Sequence, residues 1–460
     1  MSRISYLSEL LSSVFVRQEQ QQQGAGHGSF TELCDSLLSQ SGEMSGNRLA
    51  RGLLQRYASS SEEERLAFFQ LLASRYDINA EHALRAAQRY AENKSADNLS
   101  ILMDSVEPKR QELFRRLNQI PGATNDLVQM RSQLLALCKQ YPELRSIDID
   151  LQHLFRSWFN QGFLVLREIN WDSPANVLEK IIAYEAVHAI SSWSALRARL
   201  EPSDRRCFAF FHPAMLDEPL IFVEVALTTN SPATIREVLK TDRTILNGQD
   251  ATMAVFYSIS NCQSGLAGVS FGNFLIKQVA KELSRQLPGL DTFRTLSPVP
   301  GFMRWVNTQL AADEAADSEE GVVLDSTGVR IKEALHTART VSNYETSESG
   351  TPLSLDEDES EQLQYLVAHY LTNEKRNESV PLDPVARFHL GNGASLDAVL
   401  PGADMYKKGL GQSAGAMVSY LYDLDKVEDN HEAFANDGEV IVSSAVSSLL
   451  NKPRRARKRA

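Results

Sequence analysis

From Phe30 to about Trp158, apolar residues recur three and four positions apart, interrupted by short breaks containing Asn, Asp, Pro or Gly. Ser61 and Glu64 fit a capping box, with Leu66, Phe69, Ala73 and Tyr76 following on one face. The same spacing runs through HALRAAQRYAE, KRQELFRRLNQI and NDLVQMRSQLLALCKQY. The pattern predicts a helical bundle. No constellation of side chains in it suits chemistry, so its expected role is packing or assembly.

At Gly162 the period changes. GFLVLREINW is strand-like, and SPANVLEKIIAYEAVHA starts a helix with Ser173 as cap and Pro174 in first position. SWSALRARL continues helical, and RCFAFF and EPLIFVEVALT read as two strands. In the second, Ile221, Val223, Val225 and Leu227 face one way and Glu224 the other, where it is solvated, paired or near substrate. Ala251 to Ser260 has the β-branched and aromatic content of a buried strand. A glycine loop follows, then a helix with Leu275, Val279, Leu283 and Leu287 on its apolar face and Lys277, Lys281 and Arg285 as an exposed basic row. Pro288 ends it. A short strand leads to a Pro-bounded turn carrying Ser297, and the chain is helical again after Trp305, with a further helix around Glu361 to Leu371. GLGQSAGAMVSYLYDL reads as a strand-rich closing segment before a final helix near Ser443 to Leu450. The fold class expected is α+β, an all-helical region followed by a mixed-sheet domain. The boundaries expected are 1–158 for the helical assembly domain, 159–451 for the second domain and 452–460 for a basic tail.

A chain of 460 residues with 43% hydrophobic content can build two or three cores. It has no apolar run long enough to span a membrane. The glutamine- and glycine-rich stretch 18–29 reads as a flexible joint. The amphipathic N-terminus carries Glu9 and Glu19 and lacks a continuous apolar core, which argues against a secretory signal. A net charge of −12 argues against general nucleic-acid affinity. The tail with Lys452, Arg454, Arg455, Arg457, Lys458 and Arg459 is the exception, either a solubilising tail or a contact for an anionic surface. Cys34, Cys138, Cys207 and Cys262 have neither metal spacing nor a paired motif, so a reduced, cytoplasmic setting is expected.

Strand, glycine loop and helix in that order can hold an anion, because small residues let backbone N–H groups approach a phosphate at a helix N-terminus. Gly265, Gly268 and Gly272 equally suit an ordinary tight connection. By itself the loop does not decide between these.

The wider text is more specific. FHPAMLDEPLIFVEVALTTN, YSISNCQSGLAGVSFGNFLIK, LSPVPGFMRW and DPVARFHLGNGA, with YEAVHAISSW, closely resemble malonyl-CoA decarboxylase from about Gly162 to Tyr422. The resemblance implies an acetyltransferase-like (GNAT-type) catalytic domain that binds malonyl-CoA and releases acetyl-CoA and CO2. It also implies a homo-oligomer, commonly a tetramer, acting in malonate catabolism or fatty acid metabolism. No cofactor or metal is implied, because the thioester carbonyl is itself the electron sink. It assigns catalysis to Ser297 and His389, the histidine as a proton donor able to charge near neutral pH, and the CoA phosphates to the segment Ala267, Gly268, Val269, Ser270, Phe271, Gly272 and Asn273. The Gln263 to Gly268 spacing departs from the usual acetyltransferase fingerprint, so the phosphates are assigned to a segment. His188, His212 and His369 are read as structural. The competing readings are a CoA-dependent acyltransferase and a non-catalytic CoA-binding assembly protein.

Overall fold

The computed structural model describes residues 28–40, 42–269, 275–316, 326–344, 354–377 and 379–451. Residues 18–27 of the expected joint, the basic tail and four of the seven expected phosphate-loop residues, Ser270, Phe271, Gly272 and Asn273, lie outside them.

The chain forms two compact units. The first gathers the chain up to Phe163 with His212–Leu216 and Gln263–Ser270, and the second holds Leu164–Phe211, Asp217–Cys262 and the chain from Phe271 onward. Eight α-helices build the described part of the first: α1 (Phe30–Ser39), α2 (Glu43–Ala58), α3 (Glu62–Arg75), α4 (Ala80–Glu92), α5 (Ala96–Val106), α6 (Lys109–Leu117), α7 (Ala123–Leu137) and α8 (Arg145–Trp158). The expected capping box forms at Ser61 and Glu64. The buried face of α3 is Phe68, Phe69 and Leu72, with Tyr76 just beyond it, and not the stripe through Leu66 and Ala73. Aromatic edges supply its packing, with Tyr57, Phe68 and Phe69 in mutual ring contact.

The second unit is built on a mixed sheet of eight strands. In chain order these are β1 (Val165–Glu168), β2 (Arg205–His212), β3 (Met215–Thr228), β4 (Met253–Asn261), β5 (Thr292–Thr295), β6 (Ser297–Pro298), β9 (Ser395–Leu400) and β10 (Met417–Leu421). The spatial order is β1-β2-β3-β4-β5-β10-β6, with β9 also paired to β10. β4 and β5 run parallel, whereas β1–β2, β3–β4, β5–β10, β6–β10 and β9–β10 are antiparallel. A separate two-stranded ladder joins β7 (Lys375–Arg376) and β8 (Val380–Pro381).

The helices of this unit are α9 (Ala175–Tyr184), α10 (Trp193–Leu200), α11 (Ile235–Leu239), α12 (Leu275–Gln286), α13 (Phe302–Ala316), α14 (Ser326–Ser342), α15 (Glu357–Asn373), α16 (Pro384–Gly391), α17 (Lys407–Ser413), α18 (Val427–Asp437) and α19 (Ser444–Asn451). The main core collects Val223, Val225 and Leu227 of β3 with Val279 and Leu283 of α12 and Phe302 of α13. Phe222 and Ala226, on the opposite face of β3, enter two smaller cores, so both faces of this strand are covered. This is the expected α+β order, helices first and a mixed sheet after.

Four local readings are corrected. Glu224 is wholly buried rather than on an exposed face, and of its expected readings the paired one holds, since its Oε2 accepts from Arg199 Nη1 at 2.9 Å. Lys277 is buried against the core and paired with Glu428, so the expected exposed row on α12 loses its first member. The helix expected to begin at Pro174 starts one residue later, with Pro174 as its cap. The segment expected to be strand-rich begins as helix α17 and becomes strand only at Met417.

Candidate functional site

Two strands part to make the site. β4 and β5 run side by side until Phe256 aligns with Thr295, and Leu296 N–H donates to Phe256 O at 2.9 Å. There β4 carries a bulge. Phe256 pairs with Val225 and Ser258 with Glu224, which leaves Tyr257 as an extra residue. Beyond it β4 continues to Asn261 beside β3, while Ser297 and Pro298 turn away to pair with Val418 and Met417 of β10. A cavity of about 220 Å³ lies at this divergence, lined by Phe256 to Ile259 and Asn261 of β4, by Leu296, Ser297 and Pro298, and by Val187, Val385, Phe388 and His389 among others.

Ser297 is therefore on a short strand and not in the expected turn. His389 sits near the C-terminal end of helix α16. That helix is anchored by Asp383, whose Oδ1 accepts from the N–H groups of Val385 and Ala386 at 2.9 and 3.0 Å, with Pro384 preset at the first position. Asp383 Oδ2 also accepts from Gly301 N–H at 3.3 Å. A side chain at Gly301 would meet the Tyr370 hydroxyl at 2.4 Å, so only glycine permits this approach.

The two side chains meet. Ser297 Oγ is 3.0 Å from His389 Nε2, and both residues are buried. Ser297 Oγ donates to Thr295 Oγ1 at 2.9 Å, and Thr295 Oγ1 accepts from Tyr420 N–H at 3.0 Å. On the other side of the ring, His389 Nδ1 is 2.9 Å from the Tyr422 hydroxyl, and the imidazole stacks on Tyr420 with centroids 4.5 Å apart. Burial pushes the Tyr422 phenol far above its ordinary range, so it keeps its proton. Its one hydrogen-bond partner among the described residues is His389 Nδ1. The phenol donates there, and Nε2 carries the imidazole proton toward Ser297.

Burial also pushes His389 down to about 3, against the expectation that it charges near neutral pH. The imidazole is neutral. Thr295, Tyr420 and Tyr422 were not singled out from sequence. The Tyr-x-Tyr spacing at the end of β10 was the available signal, since residues two apart on extended chain share a face.

The described loop residues Ala267, Gly268 and Val269 belong to the helical unit. Gly265 packs so tightly that an added Cβ would lie 1.8 Å from Val128 O, and Arg131 Nη1 donates to Gly265 O at 2.7 Å. Gly268 has φ +74, and Gln152 Nε2 donates to its carbonyl at 3.3 Å. Both glycines thus have packing or backbone reasons of their own.

Glu224 lies off the cavity lining, and burial pushes its carboxyl up to about 8. His188 is buried and pushed down to about 3, chiefly by desolvation, and His212 Nε2 is 3.0 Å from Trp158 O. His369 lies 3.6 Å from Glu374.

A family model described as malonyl-CoA decarboxylase C-terminal domain matches residues 162–460, and one described as its N-terminal domain matches residues 76–159. The chain belongs to the malonyl-CoA decarboxylase family. It is a decarboxylase.

The crystal structure of malonyl-CoA decarboxylase from Rhodopseudomonas palustris is 46% identical and superposes with a TM-score of 0.81 over 92% of this chain and 99% of that one. The corresponding structure from Agrobacterium vitis is 44% identical at the same TM-score, over 92% of this chain and 100% of that one. The mitochondrial malonyl-CoA decarboxylase of the goose Anser anser anser is 36% identical over 362 residues, 75% of this chain and 70% of the relative. Among the described residues no helix is long and apolar enough to cross a membrane, and no cluster of three metal-ligating side chains occurs.

Proposed function

We propose that this chain converts malonyl-CoA to acetyl-CoA and CO2 through a thioester enolate that is protonated at carbon. The observation that carries the reading is the Ser297–His389 hydrogen bond, set in a largely apolar cavity of an enzyme of this family. The malonyl carboxylate leaves as CO2, and the electron pair of the broken C–C bond passes into the thioester carbonyl. Ser297 hydrogen-bonds the malonyl group near the developing oxyanion. His389 Nε2–H supplies the proton to C2, and one proton from solvent is consumed per turnover.

A neutral imidazole fits this scheme when the substrate's own charge is counted. The malonyl carboxylate, once beside the ring, favours the imidazolium, so the proton enters with the substrate. The phosphates of CoA are assigned to the segment from Ala267 to Asn273. Homotetrameric assembly through the helical region, a cytoplasmic setting and service in malonate or fatty acid metabolism are part of the same reading.

The test is incubation with malonyl-CoA in D2O with no acyl acceptor. Acetyl-CoA carrying a deuterium introduced at its methyl carbon, with equimolar CO2, supports the scheme. Acyl transfer that appears only when an amine or alcohol is added would replace it with the acyltransferase reading.

A further inference from the structure

Besides Tyr257, which is buried, the cavity has four polar side chains on its lining, and three are already engaged. Ser297 and His389 bond each other, and Ser258 Oγ donates to both oxygens of Glu185 at 2.9 and 2.7 Å. Glu185 is held in turn, since its Oε1 also accepts from the N–H groups of Val187 and His188 at 2.8 and 2.7 Å. Asn261 is the fourth. It is exposed, and its amide makes no hydrogen bond within the described residues.

Its position along β4 says which part of a thioester it can reach. Phe256 stands level with the Thr295–Ser297 bend, and Asn261 is the last residue of the same strand. Discounting the bulged Tyr257, a strand rise of about 3.3 Å per residue puts it roughly 13 to 16 Å farther out. A malonyl head seated at Ser297 and His389 extends only a few bond lengths. The pantetheine arm runs outward from the sulfur and carries two amides, the second well beyond the first.

We infer that Asn261 binds the outer amide and hydroxyl region of the pantetheine arm, as a side-chain contact that recognises CoA over shorter thioesters. The inference rests on the proposed acyl-CoA reading. An Asn amide both donates and accepts, which suits an amide partner at a solvent-exposed edge.

The experiment compares Asn261→Ala with the parent on malonyl-CoA and on the malonyl thioester of N-acetylcysteamine, which ends at the inner amide. A contact made equally in ground and transition states raises KM and leaves kcat alone. For malonyl-CoA, KM should rise about 5- to 10-fold, as for loss of one hydrogen bond. The truncated thioester should be turned over by both proteins at one rate, which also controls for folding. Acetyl-CoA affinity by calorimetry should fall by the same factor as malonyl-CoA KM rises. Because that binding arm needs no turnover, it separates failure of this contact from failure of the decarboxylase reading. An equal loss on both thioesters, or unchanged acetyl-CoA affinity, overturns the inference.

Discussion

The Tyr422 hydroxyl lies 2.9 Å from His389 Nδ1, on the side of the imidazole opposite Ser297. With no other partner among the described residues, the buried and protonated phenol donates there, which places the ring proton of the neutral imidazole on the nitrogen that faces the serine. Tyr422, the residue after β10, thus sets the tautomer of a histidine carried by α16.

Tyr422→Phe removes that donor while Tyr420 continues to stack on the ring. The expected result is a fall in kcat of about 10-fold or more with KM for malonyl-CoA little changed. In 15N spectra the imidazole proton should redistribute between the two nitrogens. Retention of the parental tautomer in the variant would remove Tyr422 from this role.

Acid stability has a defined sign. His389 has an ordinary value of 6.5 when unfolded and about 3 when folded, so the unfolded chain binds the extra proton between these values. The contribution is fully present above pH 6.5 and is lost as pH falls toward 3. His188 acts in the same direction over the same window. Melting temperature should therefore decline from pH 7 to pH 5, with a shallower slope in His389→Asn. Identical slopes in the two proteins would contradict the burial argument.

The loop from Ala267 to Asn273 is tested by Gly268→Asn rather than by a β-branched residue. Asn tolerates the positive φ of +74 better than most residues, whereas Val would add backbone strain to any effect on ligand. If this segment receives the CoA phosphates, the new side chain obstructs their approach. Acetyl-CoA affinity should then drop about 10-fold, with the melting temperature within a few degrees of the parent. Calorimetry giving an unchanged affinity would move the phosphates elsewhere.

If the helical region mediates assembly, exposed apolar residues on it are the surface to test. Leu84 on α4 and Met103 on α5 are 61% and 63% exposed, although both are large apolar residues. Leu84→Glu combined with Met103→Glu should lower the number of subunits per particle. Light scattering that returns the parental mass would place the interface on another face.

Much of this was legible from residue pattern. The helical bundle, the change of period near Gly162 and the strand preceding the glycine loop follow from spacing alone, because burying one face of an element imposes its period on the sequence. Ser297 and His389 were reached only through resemblance. A serine before proline and a histidine among apolar residues carry no local signal, and the two are 92 positions apart.

What stayed hidden depends on tertiary contacts. The bulge at Tyr257 has no marker residue, and Thr295 becomes relevant only when β10 brings Tyr420 N–H to its hydroxyl. Lys277 looked exposed because helical periodicity marks one buried stripe. It cannot reveal that α18 presents Glu428 to the polar face.

The central claim is tested most directly by turnover of malonyl-CoA, with no acceptor present, by the parent and by His389→Asn. The parent should yield acetyl-CoA and CO2 in equal amounts. The variant should fold, bind acetyl-CoA with little change and turn over roughly 10²-fold more slowly or worse, the loss expected for one general acid. A folded His389→Asn protein that decarboxylates malonyl-CoA at the parental rate would remove the histidine from the chemistry and contradict the account.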